Sequence, residues 1–276
     1  MSQKVTIGVD IGNRNDRFAL VSMWRTARGV TVFDARAKKG VSSDEVVDSC
    51  LATIIGLHNQ IPRGINIQIA PDRTGLGWGP TETLAKQIRH LRAPGMALAG
   101  RTVQIAGVAI TAGDGVTRDE DESWKWNVGR DRLVGQTLMA LRTEALSIRG
   151  AGGDAAPLLA EELRDLVENS TKSGKTRIDH KPGKHDDVFM ALCLGYWFSS
   201  STGLGGYAPI GSRSPLLGTL ASAEGARVPE ARPTATRPAS APEKGAAVAS
   251  PDLLAAKRRR SFVEGLSRTV DRRHVR

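Results

Sequence analysis

KVTIGVDIG (4–12), FALVSMW (18–24) and VTVFDA (30–35) decide the fold. Each is a short run of apolar and β-branched residues, and turns separate them: NRNDR (13–17) after the first, Ala27-Arg28-Gly29 after the second. Connections this short leave no room for a crossover helix, so the three strands form an antiparallel meander. SSDEVVDSCLATIIGLHNQ (42–60) follows with apolar residues at helical spacing and Ser43 or Asp44 as its N-cap. INIQIAPD (65–72) is then a fourth strand, and the helix before it lets it run parallel to the first.

Further along, TETLAKQIRHL (81–91) reads as a second helix begun at Pro80–Thr81, and RTVQIAGVAITA (101–112) as a fifth strand or a hairpin. WNVGRDRLVGQTLMALRTEAL (126–146) reads as a third helix, PLLAEELRDLVENS (157–170) as a fourth, and GKTRIDH (174–180) as a short strand or loop. DDVFMALCLGYW (186–197) closes the domain as a buried helix. The fold class expected is α/β: a central mixed five-stranded sheet, three antiparallel strands plus parallel ones, flanked by helices.

Charge divides the chain in two. Residues 1–200 carry 26 Lys/Arg against 23 Asp/Glu, whereas residues 201–276 carry 13 against 6. The second part is also rich in Gly, Pro, Ala and Ser and poor in branched apolar residues, so 201–250 is expected to be disordered. Its end, KRRRSFVEGLSRTVDRRHVR (257–276), could become a basic helix on a partner. The domains expected are therefore 1–200 and a 201–276 linker and tail. Cys50 and Cys193 lie in apolar helical patterns and read as core thiols of a reducing compartment. No apolar run approaches a membrane span, which points to the cytoplasm and to no membrane partner.

Asp186 and Asp187 are adjacent carboxylates at the mouth of an apolar helix; Asp10 closes the first strand and Asp72 the fourth. If those strands are parallel neighbours, Asp10 and Asp72 emerge at one sheet edge, where ligands bind in open sheets. A helix packed on that sheet can bring its first-turn acids to the same place. Carboxylates so close repel one another unless a cation compensates. Oxygen ligands without a His/Cys cluster favour one or two Mg²⁺ or Mn²⁺ ions over zinc. Each acid also has a plain structural reading: Asp10 and Asp72 as turn formers, Asp186 or Asp187 as a helix cap.

GVDIGNRND (8–16), APDRTGLGWG (70–79) and EELRDLVENSTKSGKTRIDHKPGKHDDVFMALCLG (161–195) together resemble the nuclease domain of the phage terminase large subunit. The resemblance covers roughly residues 4–198. It implies an RNase H-like, resolvase-like fold and a Mg²⁺/Mn²⁺-dependent endonuclease that cuts double-stranded DNA during viral genome packaging. Asp10, Asp72, Asp186 and Asp187 match its catalytic metal acids, with Asp187 favoured as the indispensable member of the last pair. Asp16 matches a second acid after the first strand, and Met190 stands where resolvase-type relatives often carry another. No G-x-x-x-x-G-K-[ST] occurs, and KSGKT (172–176) lacks the upstream glycine. The chain is thus expected to be either an excised domain or a naturally separate nuclease subunit; Met1 and the long tail favour separate coding, with a packaging ATPase on another polypeptide and a portal or small terminase subunit as further partners, in the host cytoplasm.

Substrate phosphates call for Lys and Arg. Arg14, Arg17, Arg73, Lys125, Arg130, Arg132, Lys181 and Lys184 flank the acidic stations, with His185 beside the acid pair and Trp78 between two glycines after Asp72. The acids Asp119–Glu122 read as a loop tip, and Trp124 and Trp126 as hairpin anchors or stacking groups. Competing functions are a junction resolvase of the same fold and a catalytically silent packaging module; an actin-like ATPase, which opens on a similar first strand, needs two related halves.

Overall fold

The computed structural model describes residues 3–12, 16–170 and 176–200. Strands β1 (Lys4–Ile11), β2 (Arg17–Thr26) and β3 (Gly29–Lys39) pair antiparallel in chain order, as their short connections require. Helix α1 (Ser43–Gln60) carries the chain back to β4 (Asn66–Pro71), which lies parallel to β1. Its N-cap is Ser42, one residue before the expected Ser43 or Asp44. Ser42 Oγ accepts from the Glu45 N–H (3.3 Å) while the Ser42 N–H donates to Glu45 Oε2 (2.9 Å), a reciprocal box that only this spacing closes.

A 3₁₀ turn (Gly75–Gly77) leads into α2 (Trp78–Leu91), and β5 (Val103–Ile105) pairs parallel with β4. The main sheet has six strands rather than five, because the two-residue β9 (Leu146–Ser147) adds to β3. Its order is β5-β4-β1-β2-β3-β9.

Three sequence expectations fail at points where partners change. Residues 101–112 are neither one strand nor a hairpin. The Ala106 N–H donates to Ile69 O (2.9 Å) and the Gly107 N–H, on the other side, to Trp124 O (2.9 Å); one bridge to the main sheet persists at Val108, where the Arg73 N–H donates to Val108 O (2.8 Å), before the chain goes over to new partners. Strands β6 (Gly107–Thr111), β7 (Val116–Arg118) and β8 (Lys125–Gly129) form a second sheet, order β6-β8-β7. Residues 126–129 are therefore strand, and the helix expected there starts later, as α3 (Arg130–Arg142). Likewise α4 (Ala156–Arg164) is short, since Leu166–Ser170 becomes β10 and pairs with β11 (Thr176–His180).

The last helix, α5 (Asp187–Ser200), is buried almost all round, with Val188 through Leu194, Trp197 and Phe198 in the core. Cys50 and Cys193 are buried free thiols. Trp126 meets Trp197 edge-on at 5.7 Å between centroids, so it anchors the second sheet to α5. No helix among the described residues is long and apolar enough to cross a membrane. The tail (201–276), Arg14 and KSGK (172–175) lie outside the described residues.

Candidate active site

Parallel pairing of β1 with β4 runs in register up to Val9 opposite Pro71, and the Asp72 N–H donates to Val9 O (2.8 Å). Asp10 and Asp72 are the next residues along these two lines. In-register residues of parallel strands share a face, and neighbouring strands lie about 4.8 Å apart. The two carboxylates therefore start side by side at one sheet edge.

Gly8, two residues before Asp10, shows which face this is. A Cβ there would stand 1.8 Å from Ala191 O and 2.6 Å from Gly195 N, both in α5. Gly195 is as tightly placed, since its Cβ would meet Met23 Cε at 2.5 Å and Gly8 N at 2.9 Å. Two facing glycines let α5 lie directly on β1. Asp187, Ala191 and Gly195 recur every four residues and so share a helix face. Four helical residues advance about 6 Å, and two strand residues about 6.6 Å. The helix step from Ala191 back to Asp187 thus matches the strand step from Gly8 on to Asp10.

The electrostatics agree with this convergence. Burial holds the Asp10 carboxyl well above the usual carboxylate range, and Asp72, Asp187, Asp186 and Glu162 push the same way, in that order. Asp72 is raised to about 6 by burial, partly offset by hydrogen bonds from Thr74, whose N–H donates to Oδ1 at 2.7 Å. Asp187 is also raised, chiefly by burial, against the pull of the Arg17 N–H (3.3 Å to Oδ2). Among the described residues no hydrogen bond or ion pair engages the Asp10 side chain. Hard oxygen donors so arranged suit a divalent cation.

Glu162 was missed by the sequence reading as a member of this group. It lies buried on α4, its Oε2 accepts from the Phe189 N–H at 2.7 Å, and its Oε1 is buried with no hydrogen-bond partner among the described residues. Burial, followed by the charges of Asp187 and Asp186, lifts it to about 7, even with the Phe189 N–H stabilising its anion. The signal was present in the sequence: Glu162 falls three residues after Leu159, on the buried stripe of its helix.

Asp186 faces a different neighbourhood. It pairs with Arg130 Nη2, whose guanidinium also reaches Ile178 O (3.0 Å) and Asp179 Oδ1 (3.4 Å). His180 Nδ1 lies 3.2 Å from Asp179 and 3.5 Å from Asp186. Asp179, His180 and Asp186 each place a ligand atom within 4.8 Å of the others, a cluster able to hold a divalent ion. Among the described residues it is the one such triplet; Asp10, Asp72 and Asp187 do not bring their ligand atoms that close to one another.

The basic candidates divide by what they already touch. Lys125 is buried and paired with Glu82 and Glu122, and Arg130 is committed to the Asp186 cluster. Lys181 pairs with Asp165 (2.8 Å), and Lys184 with Glu161 (3.2 Å) and Asp165 (3.4 Å). Arg132 Nε donates to Asp114 O (2.7 Å) and Arg73 Nη2 to Asn127 Oδ1 (3.2 Å). His185 Nδ1 lies 3.6 Å from Asp16, and Trp78 is 56% exposed. Asp119 accepts from the Asp121 and Glu122 N–H groups (3.1 and 3.0 Å), which makes the acidic run a self-bonded loop tip. Met190 is buried.

No protein-family model and no curated protein sequence matches the chain. Solved structures do. The Mn-soaked, inhibitor-bound human cytomegalovirus terminase nuclease domain is similar at 12% identity, with a TM-score of 0.50, over 71% of this chain and 83% of that one. The large terminase nuclease from thermophilic phage G20c with bound magnesium is similar at 15% identity and a TM-score of 0.46, over 71% and 81%. Similarity at the level of the first of these is one of fold: the chain has a mixed α/β architecture, a central mixed sheet flanked by helices, that resembles the RNase H-like topology.

Proposed function

We propose that this chain is a divalent-metal-dependent endonuclease that cuts double-stranded DNA during viral genome packaging. One observation carries the reading. Asp10, Asp72 and Asp187 come from three elements far apart in sequence, stand at the ends of neighbouring elements, and are each raised above the usual carboxylate pKa, chiefly by burial. In this reading Asp10, Asp72 and Asp187 hold the metal. Mg²⁺ or Mn²⁺ bound there supplies an activated water and stabilises the leaving oxygen of a phosphodiester.

The other residues act around that edge. Arg130 fixes Asp186, and Glu162 fixes the first turn of α5 through the Phe189 N–H. Arg17, Arg73, Arg132 and His185 are offered to the substrate backbone, and Trp78 to its bases; Lys125, Lys181 and Lys184 are already ion-paired and are not assigned that role. The packaging ATPase, portal or small terminase subunit would be its partners, and the basic tail beyond residue 200 would tether the nuclease to them.

The test is cleavage of long duplex DNA with Mn²⁺, with EDTA, and by Asp10→Ala, Asp72→Ala and Asp187→Ala. Expected is cutting with little sequence preference, abolished by EDTA and reduced at least about a hundredfold in each variant. A strong preference for four-way junctions would favour a resolvase instead. No cutting under any metal condition, or wild-type cutting by Asp10→Ala, would refute the assignment.

A further inference from the structure

Leu76 and Trp78 are the exposed large hydrophobic side chains of the described residues, 63% and 56% open to solvent. Both sit on the segment that folds back over Asp72. Gly77, between them, is buried so close to that aspartate that a Cβ would lie 2.3 Å from Asp72 O. The backbone is thus pressed against the acid edge while its two apolar neighbours stand outward. The base of the segment is fixed as well, because Thr74 Oγ1 accepts from the Ile110 N–H at 2.8 Å.

The Trp78 ring is held in place. Lys125 Nζ lies 5.3 Å from its centroid and Arg73 Cζ 6.0 Å. Lys125 is itself held by Glu82 and Glu122, whereas Arg73 has no carboxylate partner among the described residues. Leu76 also walls a groove of about 570 Å³ together with Ile11, Phe18 and Val46. An indole flanked by cations yet half bare, beside a carboxylate edge and a guanidinium that makes no ion pair among the described residues, has the composition of a base-stacking platform.

Resting on the nuclease reading above, we propose that Leu76 and Trp78 engage an unstacked base of the DNA strand at the acid edge, so that the protein prefers locally unpaired DNA to continuous duplex. Bases in a duplex cover one another's faces, and an aromatic ring reaches one only where stacking is broken. Apolar side chains, leucine among them, can hold a base step open. Arg73 supplies the charge for the neighbouring phosphate.

The full chain in EDTA, where no cutting occurs, is titrated against a fluorescently labelled duplex and against the same duplex with a central mismatched bubble. Wild type should bind the bubble about tenfold more tightly, the worth of one base–aromatic stack. Trp78→Ala should erase the preference and Trp78→Phe keep most of it, with both variants melting like wild type. Equal wild-type affinity for the two DNAs, or a bubble preference that survives Trp78→Ala, overturns the proposal. Mn²⁺-dependent cutting is scored separately. Cutting without bubble preference leaves the nuclease reading standing and removes this one, and bubble preference without cutting does the reverse. Failure to bind either DNA overturns both.

Discussion

Replacing Gly8 by alanine should lift α5 from β1 and separate Asp187 from Asp10. The added Cβ would lie 1.8 Å from Ala191 O and 2.6 Å from Gly195 N, backbone atoms that cannot rotate away. Restoring the 3.0 Å that Cβ atoms keep opens a gap of about 1.2 Å between helix and strand. Overpacking on this scale costs about 1–3 kcal/mol, which lowers the Tm of a domain this size by about 3–10 °C. Metal binding should suffer more. Metal–oxygen bonds near ~2.1 Å tolerate shifts of only a few tenths of an ångström, so a ligand set opened this far should bind Mn²⁺ at least about tenfold more weakly. Thermal unfolding without metal and a calorimetric Mn²⁺ titration measure the two effects. Gly135→Ala is the control: it lies in α3 with open space where its Cβ would be, so it should gain up to about 1 kcal/mol and leave the site alone. A Gly8→Ala protein with wild-type Tm and wild-type Mn²⁺ affinity would refute the account of how α5 is seated.

Mn²⁺ should raise the Tm of wild type, since only the folded chain assembles the acids; at a hundredfold excess over Kd the gain is about 2.7 kcal/mol, and Asp10→Asn should lose most of it in the same melting assay. Arg101 is buried and donates to the carbonyls of His58, Ile61, Pro62, Arg63 and Ile65. Arg101→Ala orphans this group and should cost about 3–5 kcal/mol, read from urea midpoints; a loss under about 1 kcal/mol would show that water replaces it. His58, whose Nδ1 accepts from Arg101 Nε (3.1 Å), has its pKa lowered by burial and then by Arg101 and Arg63. Unfolded histidine takes its proton near ~6.5 and the folded one only below that, so stability present above ~6.5 is lost as pH falls toward the folded value. Melting curves between pH 7 and pH 5 should therefore fall more steeply for wild type than for His58→Asn, and parallel curves would count against the bond.

Local pattern alone determined the β1–β3 meander, because connections of a few residues permit nothing else. It also determined the parallel return of β4, the burial of α5 and the acids at three element ends, since apolar runs and their terminal aspartates are written in consecutive residues. What lay beyond it depended on partners far away in the chain. Residues 101–112 read as one strand or a hairpin, yet they form two strands, β5 and β6, that belong to different sheets. Residues 126–129 and 166–170 read as helix, yet tertiary pairing with β6 and β11 made them strands. Lys125 and Arg130 read as free cations, and only the folded chain shows the carboxylates that hold them. Glu162 stood in plain view as an acid on an apolar stripe, but its place above α5 came from the packing of α4 on that helix. A period of 2 or 3.6 tells which face a residue occupies; which other face it meets is decided by contacts across the whole chain, and the Gly8–Gly195 approach that brings Asp187 to Asp10 is one of these.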